Sequence, residues 1–349
     1  MRAWGLCLLI LLMGCGAHGP PTPPLTPEER AGAEQYLSLG FAALPADWTP
    51  GWFVGPDGAR LETGTLDSGS AKGTVVFVPG YTAPLEMYGH IYSALSEAGW
   101  RVAALAPRGQ GRSVREGRHP EMGHLDDYAD LVGDLSAFIE VQPDGPVHVL
   151  AVSKAGHVAL RMAASRPVKV DRIAVITPMV QVRTDPVPSE WLGEIVIGLS
   201  RAGLDGAWVP GGRPWDNRRL FRDGAARARH RSLCNADPDR ANIRNALFAL
   251  TPELRVTAPT YGWAARTHRS SRWLSRPDNA ARVSLPILMV TAGRDRVVDT
   301  AAASRFCVAA GTCREVRFPA ARHCLLEGPP DEAARAMGIV LEFFGGPMN

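Results

Sequence analysis

Short apolar runs recur along the chain, and helix-length segments separate them. Strands that are apolar throughout indicate burial on both faces, and their alternation with helices is typical of a mainly parallel, doubly covered sheet. We therefore expect an α/β fold. Strands are predicted at Gly73–Val78, Arg101–Leu105, Pro146–Ala151, Arg172–Ile176, Leu285–Thr291 and Glu315–Phe318. Helices are predicted at Met87–Ala98, Asp126–Val141, Lys154–Ser165, Thr300–Ala310 and Asp331–Phe344.

The alternation stops between residues 185 and 277, where the chain is helix-like, rich in Arg and Trp, and interrupted by Gly and Pro. We interpret residues 185–277 as a helical cap over the carboxyl edge of the sheet, the edge at which open α/β folds bind ligands. The cap divides the core into residues 27–184 and 278–349. A first helix is predicted from Pro27 to about Leu39, because Thr26-Pro27-Glu28-Glu29 has the pattern of a capping box.

The N-terminus has the features of an export signal. Arg2 precedes the apolar run Trp4–Met13, which is too short to cross a bilayer and matches the apolar region of a signal peptide. The run ends in Leu12-Met13-Gly14-Cys15, which resembles the lipobox of bacterial lipoproteins. The resemblance implies a signal peptide at residues 1–14 and a lipid anchor on Cys15 that holds the protein to a membrane. An ordinary secretory signal is the alternative.

The residues after Cys15 refine the expected location. Gly16 stands where an Asp would indicate retention in the inner membrane, so the resemblance implies an exported, outer-membrane lipoprotein of a bacterial cell envelope. Residues 15–26 are Pro-rich and predict an extended tether outside the folded core.

Composition excludes several classes of protein. Of the 349 residues, 46% are hydrophobic and 21% are charged, which is typical of a globular chain with a sizeable core. The net charge is only +3, and Arg supplies all but three of the 38 basic residues. We therefore expect no nucleic-acid partner.

Cys7 lies in the predicted signal peptide and Cys15 is the predicted lipidation site. The other four cysteines belong to the folded chain in an oxidising compartment, and four thiols allow three pairings. Cys307 and Cys313 are close in sequence across a helix-to-strand turn at Gly311. We favour the pairs Cys307–Cys313 and Cys234–Cys324, with four free buried thiols as the alternative. Their spacing does not match a zinc site, and we expect no metal.

Candidate chemistry begins where a strand meets a helix at Ser153. The chain there reads Ala151-Val152-Ser153-Lys154-Ala155-Gly156. A nucleophilic Ser at such a strained turn needs small residues two positions before and after it, and Ala occupies both positions.

A nucleophilic Ser also needs a base and a carboxylate that orients the base. Asp295 and His323 follow two later predicted strands, so Ser153, Asp295 and His323 are expected at one edge of the sheet. Asp299 is the rival acid, but it is placed to cap the next helix. The backbone N–H groups of Tyr81 and Lys154 are the candidate oxyanion donors.

Further motifs accompany these residues along the chain. They are Arg108–Ser113, Gly123-His124, Asp127-Tyr128, Ala321–His323 with Glu327, Thr251–Leu254 and Pro259–Trp263. With the Ser, Asp and His above, they resemble the lysophospholipase L2 and monoacylglycerol lipase family of α/β-hydrolases, also called serine aminopeptidase-like or hydrolase-4. The resemblance implies an α/β-hydrolase fold and a serine hydrolase that uses no cofactor. It implies cleavage of a lipid-like carboxylic ester, a lysophospholipid or monoacylglycerol, through an acyl-enzyme.

Some residues allow two interpretations. Lys154 either places a cation beside the acyl pocket or extends along its helix to solvent. Arg218 and Arg219, in an Arg-rich segment, either grip a phosphate or form a solvated face. Tyr261 and Trp263 either line an acyl channel or pack the cap onto the sheet.

The sequence departs from the family pattern at Pro79, where a His is usual, and at the two Ala residues that flank Ser153. A second hypothesis follows: a catalytically weak or inactive hydrolase fold that serves as a binding or scaffold lipoprotein. The sequence leaves the oligomeric state open.

Overall fold

The computed structural model describes residues 22–38, 43–69, 71–217 and 234–347. Eight strands form one sheet in the order β1-β2-β4-β3-β5-β6-β7-β8. The predicted signal peptide, Cys15, Arg218 and Arg219 lie outside the described residues. The strands are β1 (Thr49–Val54), β2 (Arg60–Leu66), β3 (Thr74–Val78), β4 (Arg101–Leu105), β5 (Val147–Val152), β6 (Arg172–Ile176), β7 (Ile287–Ala292) and β8 (Cys313–Phe318).

The strands from β3 to β8 pair in parallel, whereas β1 pairs with β2, and β2 with β4, antiparallel. All six predicted strands are present, which confirms the mainly parallel sheet. The sequence pattern missed β1 because all its residues are exposed or half-buried, and it missed β2 because the buried positions there include Glu62, Thr63 and Gly64. Gly64 in β2 leaves room for the ring of Trp48, since a Cβ there would lie 2.0 Å from that ring.

Helices cover both faces of the sheet. Within β3, Val76 and Val78 join the apolar core on one face, and Val75 and Phe77 join the core on the other. This alternation is the period of two that a strand imposes, and it explains why the strand is apolar throughout. The helices are α1 (Pro27–Leu37), α2 (Gly89–Glu97), α3 (Tyr128–Glu140), α4 (Lys154–Ser165), α5 (Ser189–Leu199), α6 (Pro238–Leu250), α7 (Tyr261–Leu274), α8 (Pro277–Ala280), α9 (Thr300–Ala310) and α10 (Pro330–Gly345).

The predicted cap is helical. Helices α5, α6 and α7 lie in the long connection between β6 and β7. Helix α7 packs along α5, and α7 also contacts α3 of the core. The insertion therefore sits on the α/β layer through α7.

The sequence predicts an extended tether outside the folded core, whereas the structure places residues 22–26 against the cap. The Thr22 hydroxyl donates to the carbonyl of Trp215 (2.7 Å), and the Asn217 amide donates to the carbonyl of Pro23 (2.9 Å). Helix α1, predicted as the start of the core, packs along cap helix α6, with Ala33 fully buried against it. Residues 22–26 are therefore bound to the cap, because the Thr22 hydroxyl and the Pro23 carbonyl each form a hydrogen bond with a cap residue.

Two disulfides are present in the favoured pairing, Cys234–Cys324 and Cys307–Cys313. The second closes the turn between α9 and β8, and the first joins the cap to the loop after β8. Across the described ranges, the helices are all too short or too polar to cross a membrane.

Candidate active site

Ser153 occupies a strained backbone position between β5 and α4. Its φ is 52° and its ψ is −110°, a conformation that a residue with a side chain adopts only when its surroundings enforce it. The backbone of Ser153 is fixed on both sides: its N–H donates to Ile176 (2.9 Å) and its carbonyl accepts from His157 (3.1 Å) and Met179 (3.0 Å). The turn thus presents the hydroxyl above the carboxyl end of the sheet.

Two glycines near this turn, rather than the alanines two positions from Ser153, let neighbouring backbone segments approach closely. A Cβ on Gly156 would lie 3.0 Å from the Cβ of Pro178, and a Cβ on Gly80 would lie 3.3 Å from that of Ser153. Two glycines outside the five-residue elbow motif therefore let β3, β6 and α4 meet at Ser153.

The structure brings the three predicted catalytic side chains together. His323 Nε2 lies 2.9 Å from Ser153 Oγ, and His323 Nδ1 lies 2.7 Å from Asp295 Oδ2. All three residues are buried, with exposures between 3% and 8%. An imidazole placed between a hydroxyl and a carboxylate can take the hydroxyl proton while the carboxylate stabilises the resulting cation.

Backbone contacts fix Asp295 and His323. Asp295 Oδ1 accepts hydrogen bonds from the N–H groups of Val297 (2.8 Å) and Val298 (2.9 Å), which leaves Oδ2 facing the imidazole. The Thr177 hydroxyl donates to the carbonyl of His323 (3.0 Å). The rival acid, Asp299, instead accepts from two N–H groups at the start of α9.

The predicted oxyanion donors lie beside Ser153. Lys154 is the first residue of α4, so its N–H has no partner within the helix and lies at the positive end of the helix dipole. The second donor, the Tyr81 N–H, belongs to the peptide whose carbonyl is that of Gly80. The Gln110 amide, buried at 1% exposure, donates to this carbonyl (2.9 Å). The Ala83 N–H donates to the same carbonyl (3.2 Å). Because a trans peptide holds its N–H and C=O on opposite sides, these two donors set the direction of the Tyr81 N–H.

The segment Arg108–Ser113 supports that contact. Arg108 forms a two-point ion pair with Asp134 on α3, with N···O distances of 2.7 and 2.8 Å. The Ser113 hydroxyl donates to the carbonyl of Ala106 (2.7 Å) and accepts from the N–H of Glu62 (2.8 Å). These contacts therefore fix the loop at residues 108–113, which positions Gln110 beside the Gly80–Tyr81 peptide.

Lys154 does not extend to solvent, contrary to one of the two interpretations of the sequence. Its side chain is 2% exposed, and its ammonium lies 5.6 Å from the centre of the Tyr81 ring. Burial lowers the pKa of Lys154 to about 8; Glu116 opposes this shift and Arg115 adds to it. The same Tyr81 ring packs on Trp263 at 4.9 Å and abuts Gly123, where a Cβ would overlap the phenol oxygen.

Tyr261 and Trp263 are buried on α7 and line an apolar cavity of about 430 Å³ between α5 and α7. Trp263 therefore contacts both the cavity and Tyr81 of the oxyanion loop. The other apolar walls are formed by Leu192, Ile195, Val196, Leu199, Val209, Pro210, Pro259 and Ala264.

Three residues of the site escaped the sequence reasoning: Gln110, Thr177 and Arg183. Arg183 donates to the backbone carbonyl of Asp295 (2.9 Å). Gln110 lies inside the motif Arg108–Ser113, which is a signal that could have identified it. Its partner, however, is a backbone carbonyl thirty residues away, which the sequence does not reveal. Thr177 and Arg183 carry no sequence signal, because each acts on a backbone carbonyl that only the fold brings near.

Known proteins resemble this chain in sequence. The family model for serine aminopeptidase, S33 (Hydrolase_4) matches residues 69–330. Lysophospholipase L2 of Escherichia coli strain K12 is 30% identical over 241 residues, which is 67% of this chain and 66% of that protein. The chain thus spans slightly less than two thirds of the length of this curated relative.

Solved structures share the fold. A soluble variant of monoglyceride lipase from Saccharomyces cerevisiae superposes with a TM-score of 0.66 at 13% identity, over 87% of this chain and 96% of that chain. A carboxyl esterase from Bacillus coagulans superposes with a TM-score of 0.65 at 16% identity, over 87% and 100% of the two chains. At identities this low, the likeness shows the α/β-hydrolase fold alone.

Replacing Gln110 tests its role as a positioning residue. In Gln110→Met the Gly80 carbonyl loses its side-chain donor and keeps only the Ala83 N–H at 3.2 Å, so we expect kcat for an ester to fall by about tenfold with KM changed less than about threefold. Gln142→Met, at a buried glutamine whose amide donates to the carbonyl of Phe138 on α3, is the matched control and should keep kcat within about twofold of wild type. Equal kcat in Gln110→Met and the wild type would contradict the role.

Replacing Lys154 tests the cost of burying its ammonium. The native pKa of about 8 lies below the ordinary value of 10.5, so the unfolded chain binds more protons than the native state between these pH values. Stability from this group therefore rises with pH across that window, and the full cost is present below pH 8. Lys154→Met should raise the free energy of unfolding at pH 7 by about 1–3 kcal/mol and remove that rise.

Urea unfolding at several pH values measures this effect. Lys169→Met, at a surface lysine paired with Asp144, is the control and should change stability by less than about 0.5 kcal/mol. A Lys154→Met protein less stable than wild type at pH 7 would mean that the ammonium is stabilised by the site.

Proposed function

The chain belongs to the serine aminopeptidase S33 family and is an α/β-hydrolase, and from this premise we propose that it cleaves carboxylic esters of lipid-like molecules. The observation that carries the proposal is the hydrogen-bonded series from Ser153 through His323 to Asp295, with distances of 2.9 and 2.7 Å. This arrangement activates a serine for attack on a carbonyl carbon.

In the first half of the reaction, Ser153 Oγ bonds to the ester carbonyl carbon while His323 Nε2 takes the hydroxyl proton. The Tyr81 and Lys154 N–H groups donate to the oxygen that gains negative charge. The tetrahedral intermediate collapses, the ester C–O bond breaks, and His323 returns the proton to the departing alcohol. Ser153 is then acylated.

In the second half, water attacks the acyl carbon and His323 takes its proton. The bond to Ser153 Oγ breaks, His323 reprotonates the serine, and the carboxylic acid leaves. Asp295 stabilises the imidazolium that forms in each half. The reaction requires no metal or organic cofactor.

The apolar cavity between α5 and α7 supports a lipid-like acyl group as the substrate. Its volume of about 430 Å³ and its apolar walls suit a hydrocarbon chain, and Trp263 lies between it and Tyr81 of the oxyanion loop. The curated relative is a lysophospholipase and a solved neighbour is a monoglyceride lipase. We therefore propose a lysophospholipid or a monoacylglycerol as the substrate class.

We propose further that a lipid on Cys15 anchors the protein to the outer membrane. Thr22, which binds the cap at Trp215, lies seven positions after Cys15, with six residues between them. A fully extended segment of that length reaches about 25 Å at most. With such an anchor, the cap stays within reach of the membrane surface that supplies the substrate.

A p-nitrophenyl ester series from acetate to palmitate tests the proposed activity. We expect kcat/KM to rise with chain length by up to about fourfold per CH₂ until the cavity is filled. Ser153→Ala should lose at least about 10³-fold in kcat. Fatty acid release from an acyl-matched lysophospholipid and monoacylglycerol then distinguishes the two substrates.

A folded protein that turns over no ester faster than Ser153→Ala would contradict the proposal. That outcome would favour the second hypothesis, a hydrolase fold that binds lipids without cleaving them.

A further inference from the structure

The loop that carries His323 has no regular secondary structure. It connects β8 to α10, and the catalytic imidazole lies near its middle. Side chains on such loops lose considerable conformational entropy when they are fixed in one geometry. His323 must nevertheless stay within hydrogen-bond distance of both Ser153 and Asp295.

A covalent bond to the cap lies next to the catalytic base. Cys324, the residue after His323, forms a disulfide with Cys234, whose Cα lies 5.1 Å away. The N–H of Cys324 also donates to the carbonyl of Cys234 (2.9 Å). The base and the cap are thus joined within one residue of the imidazole.

Two further hydrogen bonds extend this junction. The Asn235 amide donates to the carbonyl of Glu327, and Arg322 donates to the carbonyl of Asn235 (3.3 Å). Asn235 also accepts from the N–H of Asp237, the residue that caps α6. The start of α6 therefore holds the His323 loop from the cap side, while Thr177 holds it from the sheet side.

We propose that the Cys234–Cys324 disulfide is a positioning element for the catalytic base, so that hydrolysis depends on this bond. The inference rests on the ester hydrolysis proposed above. The bond forms when the two thiols pass two electrons and two protons to a disulfide-bearing oxidant, which becomes its dithiol. Because cytosolic thiols stay reduced, full activity then awaits an oxidising compartment.

The second disulfide provides a matched control within the same chain. Cys307–Cys313 closes a turn at the start of β8, whereas the His323 loop follows the other end of that strand. A strand of this length spans roughly 20 Å, so the two disulfides act on different parts of the molecule. Both serve the stability of the fold, but only one is predicted to affect chemistry.

The test compares Cys234→Ser/Cys324→Ser with Cys307→Ser/Cys313→Ser, using esters well below the melting temperature of each protein. We expect kcat of the first variant to fall by about tenfold or more with KM changed less than about threefold. The second variant should keep kcat within about twofold of wild type. A loss of Tm with unchanged kcat in both variants would overturn the proposal and leave the disulfide a stabilising bond only.

Reduction of the folded protein covers the case in which the first variant does not fold. In the Cys307→Ser/Cys313→Ser protein, dithiothreitol should lower kcat as two thiols become alkylatable by mass spectrometry, and reoxidation should restore it. Retained kcat in the fully reduced, folded protein would overturn the proposal. Wild-type protein no more active than Ser153→Ala would instead refute the proposed function itself.

Discussion

The backbone strain at Ser153 is the constraint on which the site depends. Three residues other than glycine have positive φ within the part of the chain that the structure describes: Thr82, Ser153 and Thr177. All three border the site, since Thr82 follows the oxyanion residue and Thr177 donates to His323. The parallel strands supply the rigidity that holds these conformations, because each strand ends at the same edge.

Around that edge, groups far apart in sequence act on backbone atoms rather than on catalytic side chains. Gln110 directs the Gly80–Tyr81 peptide, and Arg183 binds the carbonyl of Asp295. Tyr81 connects the oxyanion loop to the cap, because its ring contacts both Trp263 and the buried Lys154 ammonium. The cap therefore contacts the oxyanion loop directly, through the packing of Trp263 on Tyr81.

The sequence predicted the parallel sheet and the three catalytic side chains, because buried strands are apolar throughout and each of these side chains follows a strand. It missed β1, in which no residue is buried, and β2, in which the buried Glu62, Thr63 and Gly64 interrupt the apolar pattern. It also undervalued Gly156 and Gly80, whose importance lies in contacts with Pro178 and Ser153. The sequence did not decide whether the Lys154 side chain is buried or extends to solvent, because the burial of a helix residue depends on what packs over it.

We infer that His323 activates Ser153 as a nucleophile. Intact-mass and peptide mass spectrometry after treatment with a fluorophosphonate measures this directly, since the reagent modifies an activated serine. We expect one adduct per chain, located on Ser153, and labelling slowed by about 10³-fold or more in His323→Ala. An unlabelled wild type, or labelling at the same rate without the imidazole, would contradict it.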